Sequence, residues 1–167
     1  MANSLGNEIK RESLVNGVMN TLFNGGIAWA LLKGSEPLTL RSGADSYAID
    51  LLATALILTF IVGLIVIAIN RRKAKRENLP ALQWQADNSL HALLQKMPHA
   101  AWASSLIFAL FAMCVFAPLT IALLWAVGAE SFTPLQYSIF KGCWAGLLAA
   151  TMVGPMIIFA RANPAPS

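Results

Sequence analysis

Three asparagines, Asn16, Asn20 and Asn24, stand four residues apart in a run that is otherwise mostly apolar. On a helix, steps of four turn the chain by only about 40°, so the three amides share one face over about 12 Å. An amide donates and accepts, and a ladder of them supports two kinds of chemistry. It can tie helices together across a contact, or it can line a polar seam that binds or passes a small solute or ion. Gly17, Gly25 and Gly26 leave room beside it. Lipid is excluded as the neighbour, because an amide without partners in hydrocarbon costs about 2–7 kcal/mol.

A second constellation is a pair of opposite charges. Asp50 and Lys141 each lie near the outer end of an apolar run, and at matched depth they form a candidate ion pair at the outer rim. Reactive side chains are few. His91 and His99 have no carboxylate or cysteine at ligand spacing, so no metal site is expected and both read as interfacial side chains. Cys114 and Cys143 differ in depth by about 12 Å, beyond the roughly 7 Å between Cα atoms that a disulfide spans. No phosphate loop, nucleophile elbow or HExxH motif occurs. Neither an enzyme nor a cofactor is expected.

Composition dictates the elements that hold these residues. Apolar residues make up 57% of the chain and charged residues 12%, about half the charge of a soluble domain, so the excess must face lipid. About 20 apolar residues cross a bilayer as a helix. Four segments meet this length, residues 14–32, 48–69, 102–127 and 139–160, and none alternates as β-barrel strands do. The fold class is therefore an all-α integral membrane protein, one four-helix domain over residues 1–167, built as two consecutive hairpins.

The basic block Arg71, Arg72, Lys73, Lys75 and Arg76 follows the second segment, where it would anchor the chain at the cytoplasmic face. With that block inside, Lys10, Arg11, Lys96 and Arg161 join it, and only Lys33, Arg41 and Lys141 lie outside. Both termini are then cytoplasmic, in a membrane expected to be a bacterial inner one. The net charge of +4 thus reflects orientation, and no nucleic-acid partner is expected. The connection over residues 70–101 carries an amphipathic helix at about 88–97, with Leu90, Leu93, Leu94 and Met97 at helical spacing and Asn88 or Ser89 as cap; it would lie on the cytoplasmic leaflet.

Packing signals complete the reading. Gly142, Gly146, Ala150 and Gly154 form a stripe of small residues four apart that lets a second helix approach, within the chain or in a homo-oligomer. Pro118 and Pro155 would kink their helices. A weak parallel repeat matches Gly34-Ser35-Glu36-Pro37-Leu38-Thr39 with Gly128-Ala129-Glu130-Ser131-Phe132-Thr133. The span count is similar to that of small four-helix drug exporters, which place a carboxylate in the first helix; here Asn16, Asn20 and Asn24 stand instead, and no family is assigned.

Two functions are expected from these features. One is a small multi-pass protein that binds or passes a solute along the first helix, as an oligomer. The other is a non-transporting accessory or scaffold protein whose stripes serve packing and whose cytoplasmic segment docks a protein partner.

Overall fold

The computed structural model describes residues 2–40, 46–85 and 87–163, so Arg41, expected outside, lies beyond the described residues. The chain is mostly helical. Its order is α1 (Ala2–Leu32), β1 (Leu38–Thr39), α2 (Tyr47–Arg76), α3 (Ser89–Gln95), α4 (Ala101–Phe111), a π-helical turn (Ala112–Phe116), α5 (Ala117–Ala126), β2 (Ser131–Phe132) and α6 (Pro134–Ala162).

Three of these units are long and apolar enough to cross a membrane: α2, the continuous stretch Ala101–Ala126, and α6. α1 has the length, at 31 residues, but its polar side chains keep it from the same apolarity. The sequence count of four spans is therefore not reached on length and composition alone. The helices also overrun the apolar segments. Nothing in the basic block breaks α2, which ends where Asn78 adopts a positive φ of 48°. Leu79 N–H then bonds the Ala74 carbonyl at 2.9 Å and Asn78 N–H the Lys75 carbonyl at 3.4 Å, closing a Schellman motif.

α6 begins with a capping box. The Thr133 hydroxyl accepts from Gln136 N–H, the Gln136 side chain accepts from Thr133 N–H, and Pro134 occupies the first turn. Pro118 shapes the third unit differently from a simple kink. It cannot donate, and its ring would collide with the carbonyl four residues earlier, and the π-helical turn just before it relieves that conflict.

The helices do not pack in hairpin order. α1 lies along α6, α2 lies between α4 and α6, and α1 has no comparable contact with its sequence neighbour α2. Small residues explain the exchange. A methyl on Gly142 would stand 2.7 Å from the Thr21 carbonyl oxygen and 3.0 Å from Gly25 Cα. One on Gly146 would overlap the Thr21 side chain and lie 2.6 Å from the Gly17 carbonyl. Ala150 touches the same Gly17, and Gly154 faces Ile9. The stripe of Gly142, Gly146, Ala150 and Gly154 is thus the seat of α1, antiparallel and at close range, within one chain. On the other side of the bundle Gly63 of α2 approaches Ser105 of α4 in the same manner.

The loops that follow α1 and α5 are joined to each other. β1 and β2 pair antiparallel, Leu38 with Phe132 and Thr39 with Ser131, so the two segments matched in the sequence comparison meet at corresponding residues, Leu38 and Phe132. Gly34 and Gly128, their corresponding first residues, both take positive φ, 88° and 73°.

Candidate functional site

At the end of the bundle opposite the basic block, helix starts bring polar groups together. Tyr47 and Asp50 are one turn apart on α2, and Tyr137 and Lys141 are one turn apart on α6. The structure brings Asp50 and Lys141 into contact: the ammonium reaches both carboxylate oxygens, at 2.8 and 2.7 Å. The Tyr137 hydroxyl donates to the same carboxylate, and the Tyr47 hydroxyl donates to the Ala129 carbonyl. Phe132 packs edge-on against Tyr47 at 5.2 Å and stacks with Phe140 at 5.5 Å. Lys141 is 13% exposed and Asp50 38%, so the pair is partly open to its surroundings, with aromatic side chains packed beside it. Its arrangement is that of a clasp between α2 and α6.

The asparagine ladder has a different environment from the one expected of interhelical glue. Each Nδ2 donates to its own helix: Asn16 to the Glu12 carbonyl at 2.9 Å, Asn20 to Asn16 at 2.8 Å, and Asn24 to Asn20 at 3.1 Å. Among the described residues the amides therefore do not bridge α1 to α6. The α1–α6 seam runs through Gly17, Thr21 and Gly25, and the asparagines, one position back, lie about 100° round the helix on its flank, half-buried. Thr21, which also bonds back to Gly17, fills the seam itself. Among the described residues no group donates to the Oδ1 of Asn16, Asn20 or Asn24. The rest of the flank is apolar and exposed, with Phe23 59% and Ile27 55% accessible. A groove of about 250 Å³ on the seam touches Thr21, Gly25 and Gly142 but none of the asparagines.

The basic end of the bundle holds a group that residue spacing did not point to. Glu8 of α1 binds Lys73 of α2 and, at 3.4 Å, Arg161 of α6, tying three helices at one carboxylate. The only signal for it was an acidic residue placed at the basic end. The block beside it divides in two. Arg71 folds inward, donating to the His99 carbonyl at 2.7 Å and lying 5.5 Å from the centre of the Phe159 ring. Lys73 is held by Glu8. Arg72, Lys75 and Arg76 are exposed, with Arg76 paired to Glu77 at 3.2 Å.

Next to this group is a cavity of about 740 Å³. Its charged lining is Glu8, Arg11, Lys73, Glu77 and Arg161, and its apolar lining includes Leu5, Leu79, Pro80 and Leu82. The Schellman turn at Asn78 sends residues 79–83 across this space, and Leu82 N–H pins them to the Arg161 carbonyl at 3.0 Å.

The connection between α2 and α4 carries α3, capped by the Asn88 side chain accepting from Leu90 and His91 N–H. Its faces split: His91, Leu94 and Met97 are buried, while Leu90 and Leu93 are 37% and 61% exposed. His91 Nδ1 accepts from Gln85 N–H at 3.1 Å, which assigns its proton to Nε2, and its ring meets Trp84 edge-on. His91 is thus a tie within the connection, between residues 84–85 and α3. Cys114 and Cys143 are free and exposed. No known protein family, curated protein or solved structure matches this chain.

Proposed function

We propose that the protein is a four-span membrane protein with both termini cytoplasmic, which assembles with a second copy through the open face of α1 and acts as a scaffold. The fourth span is α1. It follows α6 from Gly25 beside Ser138 and Gly142, through Gly17 beside Gly146, to Glu8 beside Arg161. A helix packed along the depth of a spanning helix crosses with it, and its exposed Leu14, Val18, Leu22 and Phe23 suit an apolar surrounding. Orientation rests on charge. Lys73 and Arg161 meet at Glu8 and Arg71 meets His99, which gathers Arg11 and Lys96 at the same end, while Lys33 and Lys141 mark the other. The positive-inside rule assigns the richer end to the cytoplasm, here of a bacterial inner membrane. The matched outer loops and the exchanged packing of α1 on α6 and α4 on α2 support a parallel repeat about an axis along the membrane normal.

One observation carries the assembly reading. The three amides spend one N–H each on their own helix and, among the described residues, leave their carbonyl oxygens unpaired on a flank that the chain covers only in part. An amide is its own complement, so two such stripes can satisfy each other about a two-fold axis, for about 0.6–2 kcal/mol per bond. The solute-binding reading of this stripe needs that same second copy as its other wall, because the cavities of about 740 and 250 Å³ do not reach it. Leu90 and Leu93 on α3 offer a further contact to the leaflet or to a protein partner.

The test is Asn20→Cys in a Cys114→Ala, Cys143→Ala background, oxidised in native membranes. Cross-linked dimers support assembly through α1. Labelling by a membrane-impermeant thiol reagent without cross-linking transfers the stripe to a solute route. Neither cross-linking nor labelling would overturn both readings.

A further inference from the structure

Among the described residues, Arg161 is a mostly buried cation with few partners. Its guanidinium has five N–H donors, yet its side chain is only 13% exposed and makes one long contact, 3.4 Å to Glu8. Its Nε–H is buried with no acceptor. A guanidinium in that state normally finds a partner, because an unmet buried donor of a charged group costs more than a neutral one. Arg161 lines the 740 Å³ cavity together with Lys73 and Arg11, whose side chain is 69% exposed at the mouth. Three cations face two carboxylates, Glu8 and Glu77, so the lining carries a net charge of +1. The volume falls in the range of small-molecule sites, about 300–1,000 Å³, and exceeds what a bare inorganic ion fills. The remaining wall, Leu5, Leu79, Pro80 and Leu82, is apolar.

We propose that this cavity binds an anionic phosphate group carried on a larger organic body, with Arg161, Lys73 and Arg11 as its donors and the apolar wall against its carbon skeleton. A phosphate offers several acceptor oxygens, enough to engage a guanidinium fork and an ammonium at once. The cavity opens where α2 and α6 end, the level at which basic pockets between membrane helices meet lipid headgroups. A membrane phospholipid and a soluble phosphorylated metabolite share this chemistry. Glu8 positions Lys73 and Arg161 and at the same time competes with the ligand for them. The site lies at the opposite end from the outer clasp and off the asparagine face, so it stands or falls apart from assembly through α1.

The test uses full-length protein in phosphatidylcholine nanodiscs, with or without a minor fraction of phosphatidylglycerol. Native mass spectrometry reads retained phosphatidylglycerol, and calorimetry reads titration with glycerol 3-phosphate in discs of phosphatidylcholine alone. Arg161→Gln and Lys73→Gln each weaken the probe that binds by about tenfold, the size expected for losing a charge-assisted contact. Arg11→Gln, at an exposed position that folding does not need, weakens it to a smaller degree. Glu8→Gln strengthens it, whereas a purely structural Glu8 would lower it with the fold. Arg72→Gln and Lys75→Gln leave it unchanged. Retention of phosphatidylglycerol with this pattern identifies a lipid site, and heat from glycerol 3-phosphate with this pattern identifies a soluble ligand. The proposal is overturned if neither probe distinguishes wild type from Arg11→Gln and Arg161→Gln, or if Arg72→Gln weakens binding as much as Lys73→Gln. Unfolding midpoints of every variant without probe separate lost binding from lost fold.

Discussion

Replacing Gly142 by alanine puts a methyl group 2.7 Å from the Thr21 carbonyl oxygen and 3.0 Å from Gly25 Cα, both backbone atoms of α1 that no rotamer change can move aside. Ordinary carbon contacts lie at about 3.5–4.0 Å, so α1 and α6 must separate by about 0.5–1 Å over at least a turn. A gap of that size forfeits a quarter to a half of each dispersion contact along the seam, and overpacking of this kind costs about 1–3 kcal/mol. At about 2 kcal/mol the unfolding constant rises about 30-fold. Gly26, on the same α1 but with open space at its Cβ, is the control: alanine there meets nothing within 4 Å and should leave stability unchanged or raise it by up to about 1 kcal/mol through helix propensity. Equilibrium unfolding in mixed micelles, titrated with dodecyl sulfate, measures both. Equal midpoints for the Gly142→Ala and Gly26→Ala proteins would refute the close α1–α6 seam.

At the clasp between α2 and α6, a double-mutant cycle of Asp50→Asn and Lys141→Met should give a coupling of about 1 kcal/mol, discounted because the carboxylate is partly exposed; additive effects would show that the pair is independent. Thr133→Ala removes one half of the capping box and should lower stability by about 1 kcal/mol, read from the same dodecyl sulfate titration, with Thr133→Asn retaining it. Asn78→Gly keeps the positive φ at lower conformational strain and should stabilise the α2 end by up to about 1 kcal/mol, whereas Asn78→Val should destabilise it; hydrogen exchange of Leu79 N–H reports the difference.

How far these features can be read from residues alone depends on their range. Local rules reach the Asn88 cap and the apolar body of α2, because caps and periodicity act over a few residues. Thr133 and Gln136 also form a local signature, but hydropathy starts a span at residue 139 and hides the turn that precedes it. For the same reason α1 and α2 extend beyond their apolar segments: hydropathy marks what faces lipid, and a helix continues through charge until a residue such as Asn78 stops it. Pro118 announces a disturbance in the third unit but not that a π-helical turn absorbs it. The Asp50 and Lys141 contact is legible from matched depth. The Tyr47 and Tyr137 partners could have been found from their one-turn spacing to those charges. The Glu8, Lys73 and Arg161 group was not legible, since it depends on α1 packing on α6 rather than on α2. The asparagines show the opposite limit. Their shared face follows from spacing, but spacing does not reveal that each amide bonds back to its own helix.

Assembly through α1 is the claim on which the functional reading rests, and subunit counting in lipid tests it most directly. Single-molecule photobleaching of fluorescently tagged protein, reconstituted at low density in bilayers, should show mostly two-step traces for wild type. The Asn16→Leu, Asn20→Leu, Asn24→Leu protein, whose α1–α6 seam through Gly17, Thr21 and Gly25 is untouched, should show mostly single steps. Single-step traces for wild type, or two-step traces that survive all three leucines, would contradict the account.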